Sequence, residues 1–149
     1  NGKNNAMKVY RVSEADARLC AAFARLMPQL SASLGVPSAE ALRRIVASSA
    51  TALFCAETED GIVGVLSLAW YDVPSGRKAW IEDVVVDAAA RGRGAGRALV
   101  EEALRHASRI GAACVMLTSN PARRAAHALY RKAGFETYDT TVFRSKPGK

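Results

Sequence analysis

The chain has 149 residues, half of them hydrophobic, which is enough for one globular domain with a buried core. It has no apolar run long enough to span a bilayer and no signal-like start, which favours a soluble, cytoplasmic protein over a membrane protein. The formal charge of +7 indicates an anionic partner, either a polyanionic small molecule or nucleic acid.

The basic residues are concentrated in two places. Lys and Arg cluster in residues 91–97 and 123–132, next to two predicted helix starts rather than along one helix face. Aromatic residues make up only 7% of the chain and do not interleave with these clusters, as a base-stacking surface would require. The charge pattern therefore favours a polyanionic small molecule and ranks nucleic acid second.

The domain organisation is simple. Residues 1–6 precede Met7 and carry no apolar pattern, so we expect either a vector-derived remnant or a disordered tail. Nothing in the composition of residues 7–149 suggests a domain boundary, and this segment is predicted to form a single domain.

The cysteine and histidine residues predict neither a disulfide nor a metal site. Cys20, Cys55 and Cys114 lie far apart within apolar stretches, a pattern typical of buried reduced thiols. His106 and His127 have no companion at metal-ligand spacing, so both are predicted to lie on helix surfaces.

The first half of the chain is predicted to form one strand, then two helices and then three strands. Ser13 and Ser38 are predicted N-caps, and apolar residues at helical spacing follow each of them. The period then changes to that of strands, with turn signals at residues 60–61 and 74–76. Short connections between these strands indicate an antiparallel meander. The predicted strands are residues 8–12, 51–58, 62–71 and 79–86.

The second half alternates helices and strands. A helix follows the Gly/Arg-rich segment and ends at Gly111, and a strand at residues 113–118 should lie parallel to residues 79–86 because a helix crosses between them. Asn120 is the predicted N-cap of a last helix, with Pro121 at its first position. Two final strands are predicted at residues 135–137 and 141–144.

Residues 84–97, VVVDAAARGRGAGR, are the segment that most clearly indicates chemistry. A glycine-rich turn between a strand and a helix presents unpaired N–H groups at the positive end of the helix dipole, where phosphate binds. The dinucleotide pattern fails in both registers, and the P-loop pattern fails because no Gly-Lys-Ser/Thr follows. The glycines Gly92, Gly94 and Gly96 permit positive φ and a close approach of the backbone to a ligand. The arginines Arg91, Arg93 and Arg97 add positive charge suited to pyrophosphate.

Three segments resemble the GNAT family of N-acetyltransferases. Arg91, Gly94 and Gly96 match its R/Q-x-x-G-x-G/A pyrophosphate loop, residues 80–87 (WIEDVVVD) look like its fourth strand, and residues 126–135 (AHALYRKAGF) look like its A-x-x-x-Y-x-x-x-G-F segment. The order of predicted elements is similar over residues 7–144. The resemblance implies an α/β (α+β) fold with a mixed, mostly antiparallel sheet of six to seven strands, parallel and splayed β4 and β5, and about four helices.

The resemblance also implies acetyl-CoA as the cofactor. In this family the backbone of the fourth strand pairs with the pantetheine arm and the glycine loop holds the pyrophosphate. Many members carry Asn where this chain has Arg123, which either reaches a CoA phosphate or is an ordinary exposed helix arginine. The remaining implied cofactor contacts are Val84, Val85, Val86, Arg91, Gly92, Arg93, Gly94, Ala95, Gly96 and Arg97.

Acetyl transfer to an amine needs a base and a proton donor for the departing thiolate. By resemblance, Glu82 is the leading base, acting through water, and Tyr130 is the donor. Asp83 is the alternative base, because adjacent strand residues face opposite sides and only one should face the cleft. Solvated strand-end carboxylates and a core tyrosine are the structural alternatives.

These features predict an acetyl-CoA-dependent N-acetyltransferase that transfers the acetyl group directly to a primary amine, with a small molecule favoured as acceptor. A protein N-terminus or lysine, a non-catalytic CoA-binding domain and a nucleic-acid-binding module remain alternatives, and homodimerisation stays open. By resemblance, residues 28–37, together with Trp70, Tyr71 and the C-terminal strand, are expected near the acceptor.

Overall fold

The computed structural model describes residues 6–148, so most of the expected N-terminal tail lies outside the described residues. Each predicted strand up to residue 86 is present, and β3 and β4 are longer than expected. The elements in chain order are β1 (Lys8–Arg11), α1 (Ala17–Leu30), α2 (Ala39–Ala47), β2 (Thr51–Thr58), β3 (Gly61–Val73), β4 (Gly76–Val86), a 3-10 turn (Ala88–Ala90), α3 (Ala95–Arg109), β5 (Cys114–Met116) and α4 (Arg124–Lys132).

The strands form one mixed sheet in the order β1-β2-β3-β4-β5. The first four strands pair antiparallel, as short turns between them require, whereas β5 pairs parallel with β4 after the crossover through α3. The mixed sheet, the parallel β4/β5 pair and the four helices confirm the expected α/β fold.

Helices cover both faces of the sheet. Phe54, Leu66 and Leu99 are fully buried in the cluster between the sheet and α3. On the other face, Leu26 of α1 and Leu42 of α2 are fully buried against the sheet. Each such side chain contributes about 1.5–3 kcal/mol through burial, so the two clusters fix β4 between two packed layers.

The sheet has five strands among the described residues, so the expectation of six to seven is wrong. Residues 135–137 and 141–144 form no strand. Tyr138, Val142 and Phe143 are 76%, 67% and 90% exposed, so this segment buries no apolar face that would stabilise a further pair of strands.

Two helix starts differ from the prediction. Asp16, not Ser13, caps α1, because its Oδ1 accepts a 2.9 Å hydrogen bond from the Leu19 N–H. Helix α4 begins at Arg124, and the Asn120 side chain accepts instead from the Ala122 N–H at 2.9 Å, which stabilises a local turn before the helix.

The structure departs from several of the expectations for histidine and cysteine, and it leaves Cys20 only partly buried. His106 is no surface residue: its ring packs 5.7 Å from Phe54 and 5.4 Å from Trp70, with Nε2 buried and unpartnered among the described residues. The Nε2 of His127 is buried and unpartnered in the same sense. Cys55 is buried as predicted, but Cys114 is exposed because β5 lies at the sheet edge.

Candidate active site

Strands β4 and β5 separate soon after they pair. Their register runs from Lys78–Cys114 through Ala79–Val115 to Trp80–Met116, and β5 ends there while β4 continues to Val86. Within residues 6–148, the edge of β4 beyond Trp80 that faces β5 therefore has no strand partner. Such an edge can pair with an extended amide-containing ligand.

A cleft of about 530 Å³ opens where the strands separate. One wall is the middle of β4, the opposite wall is the segment after β5 and the start of α4, and the end of α1 closes a third side. Its lining comprises Leu30, Ser31, Leu34, Ile81, Glu82, Asp83, Val84, Leu117, Thr118, Ser119, Asn120, Ala122, Arg123 and Tyr130.

A β-bulge in β4 shapes the acidic wall of this cleft. Glu82 pairs with Ser67 and Val85 with Val65, so β4 carries one more residue than β3 in this interval. Asp83 adopts φ of 49°, the left-handed conformation that accommodates the extra residue. The bulge breaks the regular alternation of strand residues at this point, and both Glu82 and Asp83 are among the residues that line the cleft. Which of the two acts as the base stays a prediction.

The electrostatic environment of Glu82 suits a proton acceptor. Partial burial in the cleft raises the pKa of its carboxyl group, and the neighbouring Asp83 carboxylate raises that pKa further. Neither carboxylate forms an ion pair within residues 6–148. A carboxylate with a raised pKa and no cation beside it is a stronger base than a paired one.

Tyr130 lies on α4 across the cleft. Its ring packs edge to face against Phe135, with 5.9 Å between ring centroids, and burial raises the pKa of its phenol. The Arg123 guanidinium, which also lines the cleft, opposes this shift. The phenol therefore keeps its proton at neutral pH and can act as a hydrogen-bond or proton donor.

The glycine turn follows the end of β4. Gly92 and Gly94 adopt φ of 82° and 83°, and α3 begins immediately afterwards without a side-chain cap. The N–H groups of its first turn are thus open to an anion at the positive end of a 15-residue helix.

Gly96 differs from the expectation of positive φ, because it lies within α3. A Cβ atom at this position would come within 3.0 Å of Leu129 Cδ1 and 3.6 Å of Val86 Cγ2. A small residue here allows the close approach of α3 to α4 and β4, which places the glycine turn beside the helix that carries Tyr130.

Two of the three arginines in the turn are engaged within the chain. Arg93 lies 3.2 Å from a Glu59 oxygen and 3.6 Å from an Asp60 oxygen, and Arg97 lies 2.8 Å from Glu101. Arg91 has no carboxylate partner in the described part of the chain, so its charge is the one most available to a ligand.

The structure separates the predicted site residues into two groups. Glu82, Asp83, Val84, Arg123 and Tyr130 line the cleft, whereas Arg91 to Arg97 lie beyond the end of β4 and outside the cleft lining. The side chain of Val85 is buried against α1, and that of Val86 packs on the α3 side. A ligand that contacts both groups must be extended along β4 and anionic at one end.

Only some of the residues expected near the acceptor line the cleft. Leu30, Ser31 and Leu34 line the cleft, in agreement with the expected role of residues 28–37. Trp70 instead packs on His106 under α3, and Tyr71 accepts a 2.9 Å hydrogen bond from the Trp80 indole N–H; neither lines the cleft.

Sequence reasoning also missed Ser119, whose Oγ atom is buried in the cleft wall without a hydrogen-bond partner in the described residues. A lone serine between a strand and a turn gives no signal that distinguishes it from a loop residue.

Comparison with known proteins identifies the family. A sequence model described as "Acetyltransferase (GNAT) family" matches residues 20–135. No curated protein matches the chain. No helix in the described residues is both long and apolar enough to cross a membrane.

Solved structures share the whole fold at low sequence identity. An aminoglycoside acetyltransferase from an uncultured soil metagenomic sample, solved with sisomicin, is 21% identical with a TM-score of 0.83, covering 98% of this chain and 99% of that chain. Glucosamine-6-phosphate N-acetyltransferase from Arabidopsis thaliana is 23% identical with a TM-score of 0.78 (97% and 99%). Ribosomal-protein-alanine N-acetyltransferase from Brucella melitensis is 18% identical with a TM-score of 0.75 (96% and 100%).

The family match spans the separated strands, the acidic bulge, the glycine turn and the tyrosine on α4, which are the features of the candidate site. The chain therefore belongs to the acetyltransferase (GNAT) family and is an acyltransferase.

Proposed function

We propose that this enzyme transfers an acetyl group directly from acetyl-CoA to a primary amine of a small molecule. The observation that carries the proposal is the cleft between β4 and β5. Glu82 and Asp83, whose carboxylates form no ion pair within residues 6–148, line one wall, and Tyr130, whose phenol keeps its proton, lines another.

The residues present fit acetyl-CoA. The unpaired edge of β4 suits the amide groups of an extended arm, and the uncapped start of α3 suits a pyrophosphate. Arg91 adds a free positive charge next to that helix start. Val84, Val85 and Val86 would contribute through their backbone, since the latter two side chains are committed to the core.

Glu82 is the proposed base. When bound, acetyl-CoA supplies a thioester whose acetyl carbon forms the new C–N bond as the C–S bond breaks. An ammonium with a pKa near 10.4 must first lose a proton, and the Glu82 carboxylate accepts it through water. Its raised pKa makes it a better acceptor, while Asp83 beside it attracts the positively charged amine.

Tyr130 is the proposed acid. Its Oη carries a proton at neutral pH, which it donates to the departing sulfur. The attacking nitrogen releases its second proton to solvent as the amide forms, and Tyr130 is reprotonated from solvent. None of the three cysteines lines the cleft, which supports direct transfer within a ternary complex over a covalent acetyl carrier on the protein.

A small, cationic acceptor is favoured by the acidic wall and by the short segment after α1 that bounds it. Two structural neighbours are named for action on aminoglycosides and on glucosamine 6-phosphate, whereas another is named for a ribosomal-protein alanine. A protein N-terminus therefore remains the alternative acceptor. A cytoplasmic location and a homodimer stay predictions.

The test is a thiol-release assay with acetyl-CoA and a panel of small amines, a peptide N-terminus and a lysine peptide. We expect a small amine to be the best acceptor, Glu82→Gln to lower kcat by about 10²- to 10⁴-fold, and Tyr130→Phe to lower kcat with less effect on KM. Glu40→Gln and Tyr138→Phe, both on exposed residues outside the cleft, are the matched controls. No turnover on any amine, together with salt-sensitive DNA binding, would refute the enzymatic proposal.

A further inference from the structure

The segment that joins β4 to the glycine turn is held from outside by helix α1. The Arg25 Nε–H donates to Asp87 Oδ2 at 3.2 Å, and the Ala88 N–H donates to Gln29 Oε1 at 2.8 Å. Arg25 also donates to the carbonyl oxygen of Ile62. Arg25, Gln29 and Asp87, which we call the clasp, thus connect α1, β3 and the end of β4.

Further hydrogen bonds stabilise the residues of the clasp. The Gln29 side chain donates to the Arg25 carbonyl at 3.2 Å, so the two α1 residues support each other one turn apart. Asp87 accepts from the Ala89 N–H at 3.1 Å, and its own N–H donates to the Val63 carbonyl at 2.7 Å. The Ala89 N–H, and after it the Arg25 guanidinium, hold the pKa of the Asp87 carboxyl below its ordinary value, so the carboxylate stays charged at neutral pH.

Beyond the clasp, the glycine turn is held by a further set of contacts, from Arg93 to Glu59 and Asp60. Between the 3-10 turn and α3, Gly92 and Gly94 carry no side chain, and no side chain caps the start of α3. Helix α3 is fixed by packing, since Ala95 and Leu99 are buried, so the N–H groups that depend on an anchor at the start of the turn are those of the turn itself. The clasp supplies that anchor, although its residues lie about 60 positions apart in the sequence.

We propose that Arg25 and Gln29 are positioning residues for the cofactor: they hold the start of the glycine turn so that its N–H groups face the pyrophosphate. This inference rests on the proposed function. Neither residue lines the cleft, so each acts through Asp87 and Ala88 rather than by contact with the reacting groups.

The position of Gln29 predicts different effects on the binding of acetyl-CoA and on the binding of the amine. Gln29 is followed directly by Leu30 and Ser31, which line the acceptor side of the cleft. Loss of a Gln29 hydrogen bond should weaken cofactor binding, whereas the acceptor-side wall keeps its packing through Leu26 and Met27, which are buried. We therefore expect KM for acetyl-CoA to rise while KM for the amine and kcat remain near wild type.

The test compares Gln29→Met, Gln29→Glu and Arg18→Met. Met keeps the length of the side chain but removes the acceptor for the Ala88 N–H, whereas Glu retains an acceptor oxygen. Arg18 is the matched control, because it lies on the same helix and pairs with Glu57 at the end away from the glycine turn. Hydrogen exchange of residues 88–97 in the free protein and calorimetric titration with acetyl-CoA are the two readouts.

Gln29→Met should exchange these amides faster and raise the Kd for acetyl-CoA by about five- to tenfold, as expected for one hydrogen bond. Gln29→Glu keeps the acceptor for the Ala88 N–H but loses the donor to the Arg25 carbonyl and adds a charge beside Asp87, so it should recover only part of the affinity. Arg18→Met should match wild type in both readouts. Wild-type binding with unchanged Kd and exchange in Gln29→Met would overturn this inference alone. Failure of the wild type to bind acetyl-CoA would refute the proposed function and this inference together.

Discussion

Substitution of Gly94 measures the free-energy cost of a left-handed backbone conformation in the glycine turn. It adopts φ of 83°, and nothing lies within 4 Å of the position that a Cβ atom would take. Gly94→Ala therefore introduces no clash, and its cost is that of placing an L-residue in the left-handed region, about 1–2 kcal/mol. For a chain of this size, about 1 kcal/mol corresponds to about 2–4 °C in Tm, so we expect Tm to fall by about 2–8 °C.

Differential scanning calorimetry of three variants measures this cost. Gly94→Asn should lose less than Gly94→Ala, because asparagine tolerates the left-handed conformation better. Gly35→Ala is the control, since Gly35 is equally open but does not have positive φ. A Tm for Gly94→Ala equal to that of Gly35→Ala, or an equal loss for Gly94→Asn, would refute the assigned backbone conformation.

Three further predictions concern titratable groups. The pKa of Glu82 is raised by burial, so kcat/KM should fall on the acidic side at a pH above the usual carboxyl range, and Glu82→Gln should lack this limb; an unchanged profile would contradict its role as base. Burial lowers the pKa of His106, so the stability that the neutral imidazole contributes is fully present above its unfolded pKa of about 6.5 and decreases as pH falls below that value. The Tm of His106→Phe should therefore depend less on pH than the wild-type Tm, and equal dependence would contradict this role of His106. A thiol reagent should label exposed Cys114 first and spare Cys55, which is buried with its pKa raised to about 12; rapid labelling of Cys55 would argue against this packing.

Local pattern accounts for most of the predicted fold. The period-two runs in β2 and β3 and the helical spacing in α1 and α3 depend on neighbours in sequence, so their elements could be predicted within a few residues. The parallel direction of β5 followed from the helix before it. The prediction of two final strands failed because a strand pattern in the sequence does not show whether the segment has a face to bury, and Tyr138, Val142 and Phe143 are exposed.

The site was less predictable because its geometry depends on contacts between distant elements. The family resemblance predicted roles for Glu82, Asp83 and Tyr130, but the bulge at Glu82 and Asp83 arises from a register mismatch between β3 and β4. The two clasp residues of α1 lie 62 and 59 positions from their partners, so no local pattern reveals them.

A crystal structure of the complex with acetyl-CoA tests the central claim most directly. We expect the pyrophosphate within hydrogen-bonding distance of the N–H groups of residues 92–97, the pantetheine arm along the free edge of β4 beyond Trp80, and the thioester in the cleft between Glu82 and Tyr130. Cofactor bound elsewhere, or a pyrophosphate that does not contact the glycine turn, would contradict the account.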